Sequence, residues 1–222
     1  MDNGWLIILL AGVVVFAIFK YLDHRRTQAV RQVARQLGFT YREMPQSGFS
    51  YRATSGQFID SRLNQAILCS KGKERRLKNV IKGRLNNMQI SIGDYSYTTG
   101  LGKRKSTHRQ TIVILDCNQH HLPTFALIPE NIFHKVGNLL GYPDINFNNY
   151  PKFSKRYRLT GPDRSAIQSC FTTDILTFFE AHGDFCVEAV GGVFLYYKRG
   201  YSVRPQEWRK LINSACRVYS QF

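Results

Sequence analysis

Between Trp5 and Phe19 the chain carries no charged or strongly polar residue, and Lys20, Tyr21 and Leu22 close the run. As a helix, Trp5 to Leu22 would be about 27 Å long at ~1.5 Å per residue, close to a hydrocarbon core of ~30 Å. Backbone amides in lipid find no water, so a helix is the form that satisfies them there. Trp5 and Tyr21 flank the run, where amphipathic rings favour an interface. The run therefore predicts a transmembrane helix, a single-pass anchor over residues 1–22. A cleaved signal peptide fits less well: Met1, Asp2 and Asn3 include no basic residue, and no small-residue cleavage site precedes Lys20 to Arg26.

The flanks predict an orientation. Lys20, Arg25, Arg26, Arg31 and Arg35 crowd the C-terminal side of the run, and Asp2 alone is charged before it. Positive residues stay on the cytoplasmic side, which places the protein in the cell membrane with its N-terminus outside and its C-terminal domain cytoplasmic. Cys69, Cys117, Cys170, Cys186 and Cys216 are an odd set without tight spacing, which suits a reducing compartment.

From residue 23 to residue 43 the sequence reads as a basic juxtamembrane helix and linker. Ala29, Val30, Val33, Ala34 and Leu37 recur on one helical face, and Gly38 supplies a stop. Residues 44–222 read as one α+β domain, a mainly antiparallel sheet with packed helices. The clearest hairpins are Asn79–Leu85 with Met88–Tyr97 across Asn86 and Asn87, and Phe185–Val190 with Val193–Tyr197 across Gly191 and Gly192. Residues 98–110 read as a long polar, basic loop before a strand over Thr111–Leu115, and Phe125–Ile128 as another strand. A helix is expected over Pro129–Leu140 and a strand over Lys155–Leu159. Short helices should follow Pro162 and Thr172 or Thr173, and a last one should carry Trp208, Leu211, Ile212, Ala215 and Val218 on one face. Residues 43–61 read as largely irregular. Runs of strands with helices between them argue against a Rossmann-like alternation.

A net charge of +16 points to anionic partners. Anionic lipid headgroups attract such a body at ~1 kcal/mol per nearby Lys or Arg, and an acidic protein could do the same. Nucleic acid would be drawn without specificity, and no helix-turn-helix or RNP-type signature supports that reading. Gly100, Gly102 and Lys103 fail the phosphate-loop spacing because Arg104 follows the lysine. No spacing of Cys117, His108, His120, His121 and His134 makes a metal motif. No cofactor and no catalytic set is predicted.

The residues expected to act together are Asp94, Tyr95, Tyr97, His108 and Arg109, with Thr107 between the strands and Lys103, Arg104 and Lys105 in the overhanging loop. Antiparallel pairing of Met88–Tyr97 with Thr111–Leu115 would bring them to one end of the sheet as a binding patch for an acidic peptide or headgroup. The alternative is a membrane-bound enzyme, such as a hydrolase, using Asp94, His108, Cys117 and His120, because a Cys–His pair can form a nucleophile when the two meet in a cleft.

The stretch from Phe147 to Tyr197 carries a resemblance. Pro151, Phe153, Tyr157, Gly161 and Asp163 are followed by Cys170, Phe171 and Thr172, by Leu176, Phe179 and Glu180, and by Val187, Glu188, Leu195 and Tyr197. Together with Asp94 to Gly100 and Thr107 to Thr111, this resembles uncharacterised bacterial single-pass membrane proteins of a domain-of-unknown-function type. The resemblance implies an N-terminal anchor before an α+β cytoplasmic body at the inner membrane. Its motifs are aromatic and turn residues, and they bring no activity with them. The reading that results is a non-enzymatic interaction or scaffold module at a membrane surface.

Overall fold

A computed structural model describes residues 4–43, 61–85, 87–117, 122–133 and 141–222. The elements run α1 (Gly4–Leu37), β1 (Thr40–Arg42), α2 (Ile67–Ser70), β2 (Lys73–Leu85), β3 (Met88–Thr99), β4 (Ser106–Asp116), β5 (Phe125–Pro129), α3 (Glu130–Phe133), α4 (Pro151–Arg156), β6 (Tyr157–Thr160), α5 (Arg164–Cys170), α6 (Thr173–Ala181), β7 (Cys186–Val190), β8 (Val193–Tyr197) and α7 (Trp208–Tyr219). The strands form one eight-stranded antiparallel sheet in the order β1-β2-β3-β4-β8-β7-β5-β6. The fold is α+β, as the hairpin patterns predict.

The single-pass anchor is overturned. Among the described residues no helix is long and apolar enough to cross a membrane. Within α1 the uncharged run ends at Phe19. Helix α1 then continues unbroken through Lys20, Asp23, Arg25 and Arg26 to Leu37, so anchor and juxtamembrane helix are a single element. The cell-membrane placement with an outside N-terminus, which rested on that span, falls with it. What remains is an exposed apolar stretch that includes Ile8, Leu10, Phe16 and Phe19.

The other half of α1 packs on the sheet. Val30, Val33 and Ala34 are buried against Ile81, Ile90 and Ile92. The helix stops as the sequence predicts: Gly38 adopts φ +68°, the Gly38 amide donates to the Arg35 carbonyl, and the Phe39 amide donates to the Ala34 carbonyl. The returning chain lays Phe39 over Gly83, where any Cβ would overlap the ring.

Period-two alternation assigns the two faces. On β3, Ile90 and Ile92 join the α1 side, while Tyr95 and Tyr97 join the other. The α1 side also takes α4, α6 and α7, with Phe153, Phe171, Phe179 and Trp208 in the larger core. The opposite side is covered by a short stretch, a 3₁₀ turn at Ser61–Gln65 and α2, which buries Leu63, Ile67 and Leu68. Every residue of β5, β7 and β8 is buried, as expected of strands sandwiched on both faces.

Several expectations shift. The long loop over 98–110 is shorter, because Thr98↔Thr107 and Thr99↔Ser106 are paired and the connection turns at Gly100 (φ +80°). β2 begins at Lys73, and its basic run is strand rather than a lead-in. Pro151 opens the helix α4 where a loop and strand were expected, in keeping with proline at a first helical position. The irregular stretch over 44–60, the helix beyond Phe133, and His120 and His121 lie outside the described residues.

Candidate functional site

Asp94 sits mid-strand on the α1 face, part-buried, and four donor atoms from three elements surround it. Arg26 of α1 donates bidentately, Nε to Oδ2 at 2.7 Å and Nη2 to Oδ1 at 2.6 Å. Asn79 Nδ2 donates to Oδ2 at 3.0 Å, and Thr111 Oγ1 to Oδ1 at 3.2 Å. Arg26 also donates to the Val203 carbonyl at 2.8 Å, and the Val203 amide donates to Thr111 Oγ1 at 2.9 Å. This network clamps α1 to the sheet by the bidentate geometry that a guanidinium offers a carboxylate.

Just before the clamp, α1 stands away from the sheet. The gap is a cleft of about 660 Å³ lined on one wall by Phe16, Phe19 and Leu22 and on the other by Arg76, Lys78, Ser96, Thr98, Thr107 and Arg109. The helix wall sets exposed apolar side chains beside Lys20 and Asp23, and the sheet wall is mainly hydroxylic and basic. Lys20 closes one end, with its ammonium 5.7 Å from the centre of the Phe16 ring. Lys78 reaches Asp23 at 3.4 Å. Arg76 and Arg109 are exposed and make no ion pair among the described residues. Glu74 on the rim pairs with Lys105 at 2.7 Å, and that contact holds its carboxyl below the usual range.

The predicted patch divides across the sheet. Asp94 and Arg109 face α1, because Asp94 pairs with Thr111 and Ser96 with Arg109. Tyr95, Tyr97 and His108 face the other side: Tyr97 pairs with His108 and their rings stack at 4.8 Å. His108 Nε2 lies 2.9 Å from Thr99 Oγ1, and burial, with Arg199 and Lys71 nearby, lowers its pKa. Arg104 is exposed, Lys105 is held by Glu74, and Lys103 lies in the 3₁₀ turn Gly102–Arg104 with its side chain outside the described residues. Cys117 and His108 do not meet either, and His120 lies outside the described residues. Cys117 and His108 stand at opposite ends of β4, about 30 Å apart at ~3.3 Å per residue. Burial pushes the Cys117 thiol up to about 11, away from a thiolate. Among the described residues no three His, Cys, Asp or Glu side chains gather as metal ligands.

Sequence reasoning did not see the pairing of Arg26 with Asp94, because it joins residues 68 positions apart. It assigned Phe16, Phe19 and Leu22 to bulk lipid rather than to the wall of a cleft. It also passed over Glu188, a carboxylate inside an apolar strand and so a readable sign of a buried polar site.

No family model matches this chain, and no curated protein matches it. Among solved structures, the crystal structure of the mycobacterial trehalose monomycolate transport factor A, TtfA, aligns with a TM-score of 0.54 at 11% identity, covering 87% of this chain and 95% of that one. At that identity the likeness is one of fold.

Proposed function

We propose that this protein is a non-enzymatic module that holds an anionic amphiphile, a lipid headgroup with its acyl chain, between α1 and the sheet. The observation that carries this reading is the two-walled cleft. Phe16, Phe19 and Leu22 offer apolar surface to a chain, while Arg76, Lys78 and Arg109 offer charge to a headgroup, with Ser96, Thr98 and Thr107 as neutral donors. The exposed stretch Ile8–Phe19 extends the apolar wall outward and suits a lipid surface lying against the mouth. The fold is shared with a protein whose name ties it to trehalose monomycolate transport, which is in keeping with an amphiphile as cargo. The separation of Asp94 from His108, and of His108 from Cys117, takes those two pairings from the enzyme reading.

Vesicle binding tests the proposal. The full chain should sediment with phosphatidylglycerol vesicles and much less with phosphatidylcholine. Arg76→Gln with Arg109→Gln should weaken binding roughly thirtyfold, at about 1 kcal/mol per basic residue. Equal binding to both lipids, or an unchanged affinity in the double variant, refutes it.

A further inference from the structure

The face of the sheet away from α1 carries a second polar cluster, and it is short of acceptors. Tyr97 and Gln110 are both fully buried, and among the described residues the Tyr97 hydroxyl and Gln110 Nε2, like Arg199 Nη1, have no hydrogen-bond partner. They are diagonal neighbours, since Tyr97 pairs with His108 and Tyr95 with Gln110. Arg199 joins them from the end of β8. The chain turns just after Ile112↔Tyr197, and within that turn the Gly200 amide, next to Arg199, donates to Gln110 Oε1 at 3.1 Å. Lys71 arrives from above on the turn after α2. Gly72 crosses so close to Tyr97 and the Thr98 carbonyl, at φ +63°, that any Cβ there would overlap them.

The nearby carboxylate does not fill the deficit. Glu188 is buried and already accepts from the Ile67 and Leu68 amides and from the Tyr197 hydroxyl at 2.7 Å. Lys71 makes no ion pair among the described residues, and its burial beside Arg199, only partly offset by Glu188, brings the ammonium down to about 7. The cations Arg199 and Lys71 and the buried donors of Tyr97 and Gln110 therefore gather on this face, and a buried donor that nothing meets is costly.

We propose that this cluster binds a small free oxyanion of the phosphate or sulfate class, held by Arg199 and Lys71 with the Tyr97 hydroxyl and Gln110 amide completing its hydrogen bonds. A tetrahedral oxyanion offers several acceptors to donors that come from different strands, and the guanidinium matches its edge. The site is separate from the α1 cleft, because the sheet lies between them.

Sulfate and inorganic phosphate, titrated into the full chain at ionic strength held constant with chloride, should each raise the melting temperature saturably. Arg199→Gln should weaken the apparent affinity about tenfold, as expected for loss of a charge-assisted contact. Tyr97→Phe removes a hydroxyl that has no protein partner, so it should fold as well as the parent while binding sulfate more weakly. Arg76→Gln with Arg109→Gln, on the opposite face, should leave sulfate binding unchanged. Stabilisation that chloride reproduces, or that survives both Arg199→Gln and Tyr97→Phe, overturns the proposal. Glycerol phosphate, whose ester arm must pass the Gly72 turn, should bind more weakly; equal binding overturns the assignment to a free ion.

Discussion

Asp94 and Lys71 show how a single side chain can fix a larger arrangement. Asp94 is part-buried and fully engaged, so Asp94→Ala strands the Arg26 guanidinium and two neutral donors. Loss of about 2 kcal/mol in denaturant unfolding is expected, together with faster hydrogen exchange in α1 from Asp23 to Val33. Lys71 governs a pH response. Its folded value of about 7 lies below the ~10.4 of an unfolded lysine. Between those values the unfolded chain holds a proton that the folded chain has released. Stability should therefore rise with pH from about 7 towards 9. Lys71→Met should flatten that rise relative to the parent in melts across the same range.

At the scale of elements, β2, β3 and β4 form the platform that both polar sites use, one on each face. The end of α1 is seated on it through Phe39 over Gly83. Gly83→Ala should displace the ring and cost about 1–3 kcal/mol by overpacking, and the loss should be visible in thermal melts. Hairpins such as β2–β3 and β7–β8 were legible in the sequence because period-two alternation and turn residues are local signals. Asn87, at φ 64°, and the Gly191–Gly192 pair sit where the alternation places the turns. The short helix α4 was not legible, because its six residues carry too little periodicity to outweigh Tyr157–Thr160 just after it. The facing of the site residues was misjudged for a different reason. Asp94 and Tyr97 are three apart on one strand, so they must point to opposite sides, and only the pairing with β4 shows which partners each one meets. The apolar run at Trp5–Phe19 was read from hydropathy alone, and hydropathy does not say that the charged half of the helix folds back on a sheet.

Across the whole molecule, charge and apolar surface meet at one place. The excess of +16 is spread over the body, but at the cleft it stands beside Phe16, Phe19 and Leu22. That juxtaposition separates capture of an amphiphile from simple attraction of a basic protein to any polyanion. Simple attraction should vanish as salt screens exposed charges over ~8–10 Å, whereas an inserted apolar wall should leave residual binding. The most direct measurement reports whether that wall enters lipid. In a Trp5→Phe background, Phe16→Trp places an indole on the cleft wall, and the buried Trp208 serves as an internal reference. With anionic vesicles whose acyl chains are brominated, fluorescence from position 16 should be quenched, and Arg76→Gln with Arg109→Gln should relieve the quenching. Vesicle binding without quenching at position 16 would show charge attraction alone and would overturn capture of an amphiphile.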